Sequence, residues 1–145
     1  MAVHAGTWLE PSLEPRFWWR VALSAVYLIA GILHMLLPGP FLRIMPALVP
    51  FPASVIFITG LCEVAGAAGL LSSPYRAAAG IGLAAYAVCV YPANIKHAID
   101  GLSAVDASIY AWLYHLPRLA FQPVLVWWAL YAGGVIDWPF ALPKA

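Results

Sequence analysis

Apolar residues run almost unbroken along four stretches of the chain, at about 17–37, 51–71, 75–95 and 118–138. Each is roughly 20 residues long, and at about 1.5 Å per residue that reaches across a hydrocarbon core of about 30 Å. Prolines punctuate the ends: Pro38-Gly39-Pro40 after the first, Pro50 and Pro52 around the start of the second, Ser72-Ser73-Pro74 after it, and Pro117 before the fourth. The pattern predicts an all-α fold, a transmembrane antiparallel four-helix bundle. A tail at 1–15 precedes a single four-span domain at 16–138, and a short tail at 139–145 follows it.

Within each stretch the few polar residues recur on one face. Ser24, Tyr27, Gly31 and His34 are spaced three or four apart in the first. Glu63 stands in the second with Gly60 and Gly66 on its own face, where small residues admit a neighbouring backbone. Gly80, Ala84, Ala87, Tyr91 and Asn94 share a face of the third, and Pro92 should kink or unwind its last turn. Arg118 and Gln122 open the fourth at an i,i+4 spacing, and Trp127-Trp128 lie deep in it. The link 38–50 reads as a short interfacial segment with Arg43 reaching water. The link 96–117 reads as a long aromatic connection, with a capping box at Ser103–Asp106 and His97 and His115 as solvated loop residues. Thr7-Trp8-Leu9 is expected to rest at an interface.

Composition fixes the solvent. The chain is 64% hydrophobic and only 9% charged, against about 25% charged in ordinary soluble domains. Too little polar surface exists to coat a globule in water, so the partner is a lipid bilayer and the expected place is a cell membrane, crossed several times. A net charge of +1 supplies no basic patch, which excludes nucleic-acid recognition. Four spans put both termini on one side; Arg16, Arg20, Arg76 and Lys144 lie there against Arg43, Lys96 and Arg118 opposite, a bias toward cytoplasmic termini. Cys62 and Cys89 lie in apolar runs outside any Cys-x-x-Cys pair, and read as small residues packed between helices.

Glu63 carries the chemistry. It is the one acidic residue well inside an apolar stretch, and an intramembrane carboxylate is costly enough to mark a functional site by default. If the helices pack their small faces together, His34, Asn94, Arg118 and Gln122 converge above it. The expected result is a polar pocket, open on the side away from the termini, with Tyr91 and Trp127 as aromatic walls. The expected ligand-binding set is therefore His34, Glu63, Tyr91, Asn94, Arg118, Gln122 and Trp127. A metal is not expected, because only His34 and Glu63 are deep. Haem held by His34 and His97 is disfavoured, since His97 follows the Pro92 kink toward water. No catalytic residue is assigned.

Gly31-Ile32-Leu33-His34, Thr59-Gly60-Leu61-Cys62-Glu63-Val64-Ala65-Gly66, Tyr91-Pro92-Ala93-Asn94-Ile95 and Arg118-Leu119-Ala120-Phe121-Gln122 with Trp127-Trp128 together resemble the DoxX-like membrane proteins. The resemblance runs over roughly 21–133. It implies a four-helix integral membrane fold and a link to quinones and redox chemistry, in some members through a membrane or soluble redox partner. On that footing the expectation is a protein that binds a quinone-like or other amphipathic ligand and supports a membrane redox system. If it is an enzyme, it is a quinone-linked oxidoreductase component. The alternative is a non-enzymatic scaffold or accessory subunit that docks a partner enzyme or transporter through 96–117. A homo-oligomer is left open.

Overall fold

The computed structural model describes residues 15–103 and 108–139. Those residues form five helices and no strand: α1 Pro15–Leu36, α2 Pro38–Ile44, α3 Pro52–Leu71, α4 Arg76–Leu102 and α5 Ile109–Ala132. The all-α expectation holds. α1, α3 and α4 are each long and apolar enough to cross a membrane. α5 is as long as they are but does not reach that apolarity, because His115, Arg118 and Gln122 interrupt it. The expected interface at Thr7–Leu9 and most of the Ser103–Asp106 capping box lie outside the described residues.

Three boundaries move. The third span, α4, does not unwind at Pro92 but continues to Leu102, and the fourth, α5, starts at Ile109, with Pro117 and Pro123 inside it. The expected 22-residue connection shrinks to 103–108. A proline removes one backbone bond, yet apolar helices tolerate it where neighbouring groups serve the freed ladder. Beside that freed group, Gln122 Nε2 donates to Ala87 O at 2.6 Å and ties α5 to the turn before Pro92. α5 ends at Ala132 rather than near Trp138, where Gly133 and Gly134 turn the chain.

α1 packs along α3, α3 meets α4, α4 packs along α5, and α5 returns to α1. Neighbours run in opposite directions, as the residue pairings show: Gly66 with Leu83 and Gly69 with Ala79 across α3–α4, Gly80 with Ala129 and Asn94 with Gln122 across α4–α5. Glycine is needed at the α1–α3 crossing. A Cβ on Gly31 would lie 2.6 Å from Gly60 O, and one on Gly60 would lie 2.8 Å from Gly31 O, so the two backbones touch directly. The core is a layer of Leu23, Tyr27, Ala67, Leu70, Leu83, Ala84, Ala129 and Ala132. The outside is apolar as well: Ile29, Leu36, Phe57, Ile58, Ile81 and Val88 are all exposed. This inverts what water-soluble helices do and suits a protein whose outer faces meet lipid.

Cys62 and Cys89 are exposed, not buried between helices as expected. Both border a second hollow between α3 and α4, and Cys89 also lines the cavity that holds Glu63. The sequence could not separate packed from open stripes there, because both are apolar.

Candidate functional site

A cavity of about 620 Å³ opens between α1, α2, α3, α4 and α5, within the size range of small-molecule sites. It lies at the end of the helices away from the described termini. Its walls are mostly apolar: Ile44, Val55, Val90, Ala93, Phe121 and Leu125 contribute. α2 covers one side, with the Phe41 ring stacked on His34 at 3.9 Å between centroids.

Glu63 sits in this cavity at 3% exposure. The periodicity that placed Tyr27, Gly31 and His34 on one face of α1 brings them against Gly60 and Glu63 of α3. His34 Nδ1 lies 2.7 Å from Glu63 Oε2. The same nitrogen lies 2.9 Å from Ala30 O, one turn back in its own helix. An imidazole nitrogen carries at most one hydrogen. A carbonyl and a carboxylate both accept, so Ala30 O and Glu63 Oε2 compete for that one hydrogen, and the ring cannot fully satisfy the acid. From α4, the Tyr86 hydroxyl is in hydrogen-bonding contact with Glu63 and Thr59. Tyr27, 4% exposed, packs edge-on to Tyr86 at 6.3 Å, and its hydroxyl has no hydrogen-bond partner. The base of the cavity thus holds a carboxylate oxygen met only by the His34 ring and a hydroxyl with no hydrogen-bond partner, each in a side chain more than nine-tenths buried.

A second polar station stands higher on the wall. Arg118 donates through Nη2 to Asn94 Oδ1 at 2.7 Å. Asn94 donates through Nδ2 to Gln122 Oε1 at 3.0 Å, and Gln122 donates to Ala87 O. The relay clamps α4 to α5 and fixes the guanidinium at the cavity edge. Arg118 Nη1 also donates to the Tyr114 hydroxyl at 3.1 Å.

Of the expected ligand set, His34, Glu63, Asn94, Arg118 and Gln122 line this cavity. Tyr91 and Trp127 do not. The Tyr91 hydroxyl faces Leu119 O at 3.5 Å on the α4–α5 seam. Trp127 belongs to the opposite end of the molecule. It stacks on Tyr131 at 5.4 Å, lies edge-on to Trp19 at 6.0 Å, and donates to Trp138 O at 2.9 Å. Arg16 covers that aromatic group, 4.8 Å above the Tyr131 ring and paired with Asp137, while Arg20 Nε donates to Ala132 O at 2.9 Å. Trp127 was placed by depth from Arg118, but α5 starts nine residues before Arg118, which moves Trp127 toward the far rim.

Sequence reasoning missed Tyr86 and Thr59. Thr59 carried a usable signal, being one helical turn before Glu63. Tyr86 carried none, since it lies one position off the Gly80–Ala84–Ala87 stripe. His97 and His115 are not solvated loop residues: their rings lie 4.7 Å apart across α4 and α5, and His115 is buried against Gly101. Among the described residues, no group of three or more His, Cys, Asp or Glu side chains is arranged to hold a metal ion.

These features define an all-helical protein with three membrane-length apolar helices and a deep, mostly apolar cavity based on a buried acid. Residues 23–132 match a family described as a domain of unknown function, DUF8561, and the chain belongs to that family. No curated protein and no solved structure matches it.

Proposed function

We propose that the protein is a four-span integral membrane protein, α1, α3, α4 and α5 forming an antiparallel bundle, that holds an amphipathic ligand in the cavity between its helices. The observation that carries this reading is a buried acid beside a buried hydroxyl at the base of a cavity of about 620 Å³: Glu63 Oε2, met only by the His34 ring, and the Tyr27 hydroxyl, which has no hydrogen-bond partner. Leaving buried polar groups unpaired costs about 1–3 kcal/mol each. A ligand that supplies both bonds recovers that cost. A ligand hydroxyl can donate to Glu63 Oε2 or accept from Tyr27. The hydroxyl of a reduced quinone-like ring does this, with its apolar tail among Val90, Phe121 and Leu125. Tyr27, Tyr86 and Phe41 give a flat head aromatic neighbours. The resemblance to DoxX-like proteins supports the same choice and a role in a membrane redox system, with a redox partner in or on the membrane.

The test is organic extraction and mass analysis of the purified protein. Wild type should carry a hydroxylated or quinone-like amphipath near one per chain, and Glu63→Gln with Tyr27→Phe should lose it. Equal ligand content in wild type and variant would end this reading.

A further inference from the structure

We propose that Arg118 is an anion-binding subsite at the edge of the cavity, and that it takes the negatively charged head of an amphipath, a carboxylate or a phosphate. The inference rests on the cavity being a ligand site, but concerns a different station from its Glu63 base and a different chemical class from a neutral quinone-like head.

A guanidinium carries five N–H donors. Two are used, on Asn94 Oδ1 and the Tyr114 hydroxyl, and three remain. Both partners are neutral, so neither compensates the charge. Among the described residues no carboxylate reaches Arg118: Glu63 lies against His34, Asp100 pairs with Lys96, and Asp137 pairs with Arg16. Beyond Asn94, its guanidinium carbon lies 5.7 Å from the Tyr114 ring centroid, and neither neighbour is acidic.

Arg118 differs from an arginine that only reaches for water. Arg43 on α2 is exposed and lines no cavity, whereas Arg118 is half-buried, held by two hydrogen bonds and part of the cavity wall. Fixing a guanidinium costs side-chain entropy and desolvation, and the arrangement is favourable when the free fork meets an anion. The wall beside it, Ala93, Phe121 and Leu125, accepts an alkyl chain from such a head. The anion has two sources with one chemistry: a free amphipath such as a fatty acid, or the phosphate of a bilayer lipid.

Binding of oleate and of oleyl alcohol to the full-length protein in neutral detergent tests the charge. Wild type should prefer oleate by about tenfold or more, the size of one charge-assisted contact. Arg118→Gln should remove that preference, so that oleate and oleyl alcohol bind alike, while Arg118→Lys keeps most of it. Asn94→Asp, which offers Arg118 an internal carboxylate, should also reduce it, so the test does not depend on one variant folding. In nanodiscs of phosphatidylcholine with phosphatidylglycerol, native mass spectrometry reads the second source: retained phosphatidylglycerol, lost in Arg118→Gln, assigns the anion to a bilayer lipid, and oleate binding assigns it to a free amphipath. Equal binding of oleate and oleyl alcohol by wild type, with no retained phosphatidylglycerol, overturns the subsite and leaves the cavity reading standing. Binding of neither probe, again without retained lipid, overturns both.

Discussion

Glu63 Oε2 and His34 Nδ1 stand 2.7 Å apart, and Ala30 O, 2.9 Å from the same nitrogen, competes for its one hydrogen. The contact leaves the carboxylate with an acceptor to spare. His34 fixes the acid without fully satisfying it, and Tyr86 does part of the rest from α4.

That relationship predicts unequal single variants and strong coupling. His34→Ala removes the neighbour of a carboxylate in a side chain only 4% exposed, and should destabilise the protein by about 3 kcal/mol. Glu63→Gln keeps shape and one acceptor, and should cost about 1 kcal/mol. The double variant should cost clearly less than the sum. Unfolding in mixed micelles, arranged as a double-mutant cycle, measures this; additive costs would show that the two residues do not act as a unit.

The α1–α3 crossing predicts a contrast between glycines. Gly60→Ala forces a Cβ against the Gly31 carbonyl and should cost about 1–3 kcal/mol by overpacking. Gly82 has open space at its Cβ position, so Gly82→Ala should gain roughly 0.5–1 kcal/mol from helix propensity. Melting temperatures of the two variants should move in opposite directions.

The relay from Arg118 through Asn94 to Gln122 predicts a structural role apart from ligand. Asn94→Ala leaves the buried Gln122 Oε1 without its donor and frees the guanidinium, and should lower stability by about 1–3 kcal/mol. Amide exchange should rise in the turn around Pro92, where Gln122 supports Ala87 O.

Trp127 predicts a separation between stability and binding. Trp127→Phe loses the donor to Trp138 O and disturbs the group around Trp19 and Tyr131, at the end remote from the cavity. Its thermal stability should fall while ligand content stays at the wild-type level. A parallel loss of ligand would return Trp127 to the site.

The sequence carried the site as far as its faces were marked. His34 and Glu63 were legible because a polar residue in an apolar run stands out, and because Gly31 and Gly60 show where backbones meet. Asn94, Arg118 and Gln122 were legible by the same spacing. The helix ends were not. Pro92 and Pro117 read as breaks, but α4 and α5 run through them, and the resulting shift moves Trp127, His97 and His115 from their expected places. Tyr91 failed for a smaller reason: it shares the stripe of Asn94 but turns into the α4–α5 seam. The exposure of Cys62 and Cys89 was hidden because packed and open stripes are equally apolar.

The central claim is that the cavity, and not the outer surface, holds the amphipath. Photolabelling of the full-length protein with a diazirine-bearing amphipathic alcohol, followed by peptide mapping, tests it most directly. The account predicts labels concentrated on the cavity-facing parts of α4 and α5, around Val90, Ala93, Phe121 and Leu125, and their loss in the Glu63→Gln, Tyr27→Phe double variant. Labels spread evenly over the outer faces, at Ile29, Phe57 and Val88 as much as in the cavity and unchanged by those substitutions, would contradict it.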